Sequence, residues 1–317
     1  MDSKLSTRPA ELAPFVMDGG MRLGSPTLRV RRLRPMLDFY VGRLGLTPKV
    51  VDEGASGLKT VDLGFSGAPQ DALLTLREDP QARQAPRDFA GLYHYAVLVP
   101  DRRSLASTFL AIGGSGVPYE GFADHQVSES LYLHDVERNG MEIYADRPRN
   151  AWSDWRKISE RIAATGDMSL MAPMSQPLDF ESLLGELGEE GARGKPTAFP
   201  TGARIGHVHL RVTDLDRSVK FYHEKLGLET MMHVPQMGAA FLSAGGYHHH
   251  IGLNTWHSLH GTPHEDGDAG LDELKVVVPD GDVLREVARR LPGSRTEGGA
   301  LVARDPDGIR ISLVPQA

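Results

Sequence analysis

Thirteen histidines and no cysteine among 317 residues decide which site chemistry is open to this chain. Without thiols there are no disulfides, no thiolate metal sites and no cysteine nucleophile, so a bound metal has to rest on imidazole and carboxylate. Three segments carry histidine in an apolar, strand-like setting: His94 in YHYAVLV, His207 and His209 in GHVHLRV, and the consecutive His248, His249 and His250 between Phe241-Leu242 and Ile251-Gly252-Leu253. His207 and His209 share one strand face, and the histidine run, read as continuous strand, puts His248 and His250 on one face and His249 on the other. A run of three histidines also fits a solvated tract, and a lone His94 fits a buried structural histidine. The carboxylates in comparable runs are Glu142 in MEIYAD and Glu273 in GLDELKVVV, whereas His223, His233, His257, His260 and His264 fall in helix or loop settings and read as surface residues.

The elements that must position these groups repeat. Arg29–Leu46 (RVRRLRPMLDFYVGRLGL) recurs without a gap at Arg211–Leu228 (RVTDLDRSVKFYHEKLGL), with eight identities that include the Phe-Tyr pair and the Leu-Gly-Leu ending. GLYHYAVLVPD at Gly91–Asp101 likewise matches GLDELKVVVPD at Gly270–Asp280. Each half therefore has two strand starts, and four similar modules follow. The spacing in each predicts a strand, an amphipathic helix, then three strands. In module one these begin with Leu28–Val30 and a helix over Pro35–Leu44; in module three with His207–Val212 and a helix capped by Asp214 and closed by Gly227. Module two has a strand at His94–Val99, a helix near Arg103–Ile112 and a last strand in Met141–Asp146. The expected division is an N-terminal half at 22–149, a connector at 150–203 with helices at Trp152–Ala164 and Phe180–Leu187 followed by a Gly, Lys and Pro-rich stretch, and a C-terminal half at 204–317. The Phe-Tyr pairs read as core packing.

Composition excludes several classes. The hydrophobic fraction of 40% and charged fraction of 24% are globular, and a net charge of -7 with no basic block argues against nucleic acid or a membrane surface as partner. No run of 18 apolar residues and no signal-peptide pattern occur, so the expected location is the cytoplasm.

A four-fold strand-helix-three-strand unit with His at a first strand and Glu at a last strand resembles the vicinal oxygen chelate superfamily, which includes glyoxalases, fosfomycin-resistance proteins and extradiol catechol dioxygenases. GHVHLRVTDLDRSVKFYHEKLGL carries the superfamily pattern, and YHHHIGLNTW is similar to the catechol 2,3-dioxygenase branch. The resemblance implies an α+β fold in which four βαβββ modules form two half-barrel pairs. It also implies metal ligands at the start of a module's first strand and the middle of its last. Those places offer Ser25 and the apolar Leu73–Leu76 in module one, His94 and Glu142 in module two, His207 and the histidine run in module three, and Glu273 and Arg310 in module four. Dioxygenases of the family usually pair modules three and four, but Arg310 stands here in the place of the glutamate. The expected metal set is therefore His94, Glu142 and His207, built across the halves.

By the same resemblance, His125 and Tyr132 line the pocket beside Glu142, and His250 is the acid/base histidine with His248 on its face. Two imidazoles and one carboxylate leave three octahedral positions open, which suits Fe(II) binding a substrate and dioxygen, with Mn(II) the alternative metal. The implied activity is extradiol cleavage of a catechol. The expected partners are the aromatic diol, dioxygen and identical copies in a homo-oligomer. A glyoxalase-like metal-dependent isomerase or lyase, which needs a second carboxylate, and a metal-free binding or resistance protein are the alternatives.

Overall fold

The computed structural model describes residues 13–53, 59–65, 72–84, 86, 88–188 and 199–316. The Gly, Lys and Pro-rich stretch lies largely outside them. Module one runs through strands Thr27–Val30, Thr47–Glu53, Lys59–Gly64 and Ala72–Glu78, and module two through Gly91–Leu98, Gly121–Asp124, Ser128–His134 and Gly140–Asp146. Module three contributes Arg204–Arg211, Glu229–Val234, Ala239–Ser243 and Ile251–Asn254, and module four Gly270–Val278, Arg295–Glu297, Ala300–Arg304 and Arg310–Pro315. A helix follows each first strand. Asp101, Asp214 and Asp280 cap the last three by accepting a backbone N–H of the first turn. In modules one and three the helix is only Leu33–Leu37 and Leu215–Lys220 before it widens into a π turn that carries the Phe-Tyr pair, so the regular helix expected over Pro35–Leu44 is shorter than its periodicity suggested.

The strands form two curled sheets, and this is the α+β half-barrel architecture the family resemblance implied. One sheet joins modules two and three through an antiparallel seam between Gly91–Leu98 and Arg204–Arg211; the other joins modules one and four through Thr27–Val30 and Gly270–Val278. Each sheet thus takes one module from either side of the connector. The connector supplies a helix at Trp155–Thr165, a 3₁₀ segment at Met168–Met174 and a short helix at Phe180–Gly185, with Trp155, Met171 and Met174 over the concave face of the first sheet. Among the described residues no helix is long and apolar enough to cross a membrane.

The Phe-Tyr pairs do more than fill space. Tyr40 donates its hydroxyl to Asp135 and Tyr222 donates to Asp305, each at 2.9 Å, and each aspartate sits in the turn before the last strand of the next module. The other oxygen of each accepts two backbone N–H groups, at 2.9 Å. The duplicated lock ties module one to two and module three to four, across sheets.

Burial, and then the neighbouring Asp307, push the Asp305 carboxyl up to about 7. A carboxyl raised in the folded chain contributes stability fully present below its unfolded value and lost as pH rises toward about 7. Asp305→Asn should therefore flatten the fall in the urea unfolding midpoint between pH 5 and pH 8. An unchanged pH slope in that variant would show that Asp305 is ionised in the folded chain throughout this range.

Candidate metal centre

The seam between modules two and three is irregular at two points, and both lie beside a histidine. Tyr93 is an extra residue in one strand, just before His94, and Gly206 is an extra residue in the other, just before His207. Such bulges bend a strand and re-aim the next side chain. A Cβ on Gly206 would lie 1.9 Å from the Tyr144 hydroxyl, so only glycine admits that close approach. His94 and His207 consequently turn onto the concave face, where the last strand of module two brings Glu142, and all three are buried.

One oxygen of Glu142, Oε2, lies 3.0 Å from His94 Nε2 and 3.1 Å from His207 Nε2. The other, Oε1, accepts a 2.6 Å hydrogen bond from the Ser130 hydroxyl. One ligand atom from each of His94, Glu142 and His207 falls within 4.8 Å of the others. The His94 Nε2 atom is buried and has no hydrogen-bond partner despite that contact. Burial opposes ionisation of Glu142, but the imidazoles of His207 and His94 outweigh it and hold the carboxyl well below its usual range. Burial in turn lowers His207 to about 4, so its ring is neutral at ordinary pH. A buried carboxylate facing a neutral ring and an orphaned nitrogen lacks compensating charge, and a divalent cation bound by all three would supply it. The donor set fits a metal.

Around this centre is a cavity of about 550 Å³. His125 and Tyr132 both line it, as expected from the sequence. His125 Nδ1 lies 2.9 Å from the Met174 carbonyl and must donate to it, which leaves Nε2 to accept the Tyr132 hydroxyl at 2.7 Å. Burial raises Tyr132 well above its ordinary range, and the Glu142 charge adds to this, so it keeps its proton. His209 also lines the cavity, its ring 5.1 Å from that of His94, yet it is not one of the converging three.

The histidine run departs from expectation. It is not strand: Gly245 and Gly246 both adopt positive φ, 63° and 67°, and turn the chain between Ala239–Ser243 and Ile251–Asn254, with His248–His250 in the bend. Strict alternation therefore does not apply there. His249, not His248 or His250, lines the cavity, its ring centroid 4.1 Å from that of His207. His250 is turned to Ser243 and the Ala244 N–H through its Nδ1, at 2.9 and 3.3 Å. His248 reaches Asp146 through Nε2 at 3.0 Å and the Nδ1 of His249 through its own Nδ1 at 2.8 Å. The Gly-Gly pair preceding the run was the signal for this turn. Ser130 had no signal of its own, because only cross-strand pairing sets it beside Glu142.

The equivalent places in the other sheet are closed by charge pairing. Arg310 contacts Glu273 at 3.2 Å and Glu297 at 2.5 Å, and so cannot leave Glu273 free for a cation.

A pair of βαβββ modules curled around a His, His and Glu set that fits a metal defines a cup of the vicinal oxygen chelate type. The chain belongs to the Glyoxalase/Bleomycin resistance protein/Dioxygenase superfamily, whose family model matches residues 22–153 and 204–313. Within it the chain is catechol 2,3-dioxygenase-like: it is 38% identical over 271 residues to the protein named catechol-2,3-dioxygenase from Bacillus subtilis (strain 168), covering 85% of this chain and 87% of that one. The fold is shared with the crystal structure of a putative dioxygenase from Bacillus subtilis subsp. subtilis str. 168 (TM-score 0.59, 15% identity, 96% of this chain and 86% of that one). It is shared also with glyoxalase I from Zea mays (TM-score 0.53, 17% identity, 93% and 92%).

Removal of the carboxylate tests the centre. Glu142→Gln should abolish stoichiometric binding of a divalent metal, whereas Glu273→Gln should retain it, as read by elemental analysis of purified protein. Ser130→Ala, which frees one oxygen of Glu142, should weaken metal affinity about 10- to 100-fold. Metal loss from Glu273→Gln alone would move the site to the other sheet.

Proposed function

We propose that the protein is an extradiol ring-cleaving dioxygenase that holds Fe(II) through His94, His207 and Glu142 and acts on a catechol with dioxygen. The observation that carries the reading is the single-carboxylate, two-imidazole set with a histidine, rather than a second carboxylate, at the fourth side. A glyoxalase-like isomerase or lyase needs a further carboxylate there, and His249 occupies that flank. Mn(II) suits the same donors and is the alternative metal. When bound, the metal held by His94, Glu142 and His207 would supply Lewis acidity toward the diol and an electron path to dioxygen.

The residues around it divide the proton work. The Asp146 carboxylate takes the Nε2 proton of His248, so the Nδ1 of His248 accepts from the Nδ1–H of His249. This leaves the Nε2 of His249 with its lone pair free. Burial, reinforced by the imidazoles of His207 and His248, holds His249 well below its usual pKa and therefore neutral. On this reading His249 accepts a proton from a catechol hydroxyl and returns one to the product, and His248 positions it. His250, the acid/base of the sequence-based expectation, is replaced in that role because its ring is turned to Ser243. Tyr132, holding its proton against His125, donates a hydrogen bond and passes protons rather than acting as the base. Trp155 and Met174 keep bulk water away from the ring. The acidic, globular composition of the chain suits the cytoplasm, and cleavage of an aromatic diol would place the activity in aromatic-compound catabolism.

The direct test is anaerobic purification with Fe(II), then addition of catechol and air, with a yellow ring-fission product expected in proportion to iron content. His249→Phe should retain iron and bind catechol while turnover falls about 10²- to 10⁴-fold. His250→Phe should turn over near the wild-type rate. The reverse ranking of the two variants would restore His250 as the acid/base.

A further inference from the structure

The cavity around the metal centre shares a wall with a second one. Glu120 and His134 line the cavity of about 550 Å³, and both also line a cavity of about 410 Å³ whose walls include Phe39 and Arg43 of module one and Val136 and Arg138 of module two. The backbone of the shared wall is pinned, because Glu120 donates its N–H to the Tyr132 carbonyl at 2.8 Å, so movement there falls to the side chains. Those side chains are weakly held. His134 Nδ1 lies 2.5 Å from Glu120 Oε1 yet makes no hydrogen bond, and burial lowers the His134 pKa, which leaves a neutral ring beside the carboxylate. The cation that answers Glu120 is Arg138, at 3.1 Å, and an exposed pair of this kind adds little stability.

Arg138 reaches that position at a backbone cost. Its φ of 71° lies in the left-handed region that side chains other than glycine rarely adopt. The duplicate module contains the same turn: Arg138 N–H donates to the Asp135 carbonyl and Asp135 N–H to that of Asn139, each at 3.1 Å, as Gly308 donates to Asp305 and Asp305 to Ile309, each at 3.0 Å. In that copy the residue at positive φ is Gly308, at 86°. A turn served by glycine in one copy carries a strained arginine in the other, and strain of this kind is kept where the side chain has work to do. The outer cavity has a further guanidinium, Arg43, which has no ion pair or hydrogen bond among the described residues. Asp38, the exposed carboxylate on the same wall, is paired with Arg34 at 3.0 Å.

We infer that Glu120, held by Arg138 and resting against His134, is a side-chain gate between the two cavities, and that the ring-fission product leaves through it past Arg43. Cleavage of a neutral diol breaks one ring bond, takes up both oxygen atoms of dioxygen and releases one proton, so the product is an open-chain carboxylate. An uncompensated guanidinium beyond the gate draws such an anion outward. The inference rests on the dioxygenase reading for the identity of the departing anion, though not for the gate.

The test follows binding and release of 4-nitrocatechol, a coloured diol that is anionic at neutral pH, by anaerobic stopped-flow absorbance on the iron-loaded protein. Of the two cavities Val136 lines only the outer one, and it is exposed, so Val136→Trp fills the exit without touching the metal centre. Association and dissociation rates should both fall about 10-fold with Kd unchanged, because a blocked passage slows the two directions alike. Arg138→Gly, which relieves the strained φ and should keep or raise the thermal midpoint, should instead raise both rates by freeing Glu120. Wild-type rates in either variant overturn the gate, as does slower association at an unchanged dissociation rate, which is damage to the binding site rather than to a passage. The dioxygenase reading survives those results as long as catechol and air still give the yellow product. Altered exchange with no ring-fission product keeps the gate and sinks the dioxygenase reading, and a wild-type protein that does not bind nitrocatechol sinks both.

Discussion

Much of this molecule follows from one seam, where the first strands of modules two and three pair antiparallel with an extra residue in each. The bulges at Tyr93 and Gly206 set His94 and His207 on the same concave face, although neither strand alone could bring them together. Glu142 arrives from the strand paired with His94's own, in a parallel register that sets His94 opposite Gly140 and Ala96 opposite Glu142. The absence of a Cβ at Gly206 lets Tyr144 close under the seam. A regular ladder would keep the pairing and lose the aim.

Electrostatics then ranks the groups so gathered. Every imidazole lining the cavity that carries a resolved shift, His134, His207, His209 and His249, is driven toward its neutral form first by burial. Glu142, by contrast, is held ionised. Neutral imidazoles are the form that ligates a metal or accepts a proton, so one physical cause suits His207 to its proposed ligand role and His249 to its proposed role as base. The same burial acts oppositely on Tyr132, which is fixed as a donor. In the other sheet Arg310 and Glu273 neutralise each other, so an ancestral symmetry of four modules has one cup open for chemistry and one sealed by charge.

The connector links the chemistry to the scaffold. Its 3₁₀ segment places the Met174 carbonyl on His125 and thereby sets which nitrogen of that ring faces Tyr132. Its helix places Trp155 over the cavity, with the ring 6.0 Å from that of His249. A segment without counterpart in the repeat therefore contributes the roof and one tautomer.

The sequence by itself determined the duplication, the four modules, the absence of thiol chemistry and, through the family pattern, His94, Glu142, His207, His125 and Tyr132 as residues of one pocket. Those readings rest on local periodicity and on spacing within a module, which a linear pattern preserves. Tertiary structure alone decided which histidine of the 248–250 run faces that pocket, because the Gly245-Gly246 turn breaks the alternation on which the strand reading depended. It decided also that the tyrosines of the Phe-Tyr pairs are hydrogen-bonded to Asp135 and Asp305, and that Ser130 donates to Glu142. Each of those is a matter of cross-strand register between segments tens to hundreds of residues apart, and register is a property of paired strands that neither strand carries alone.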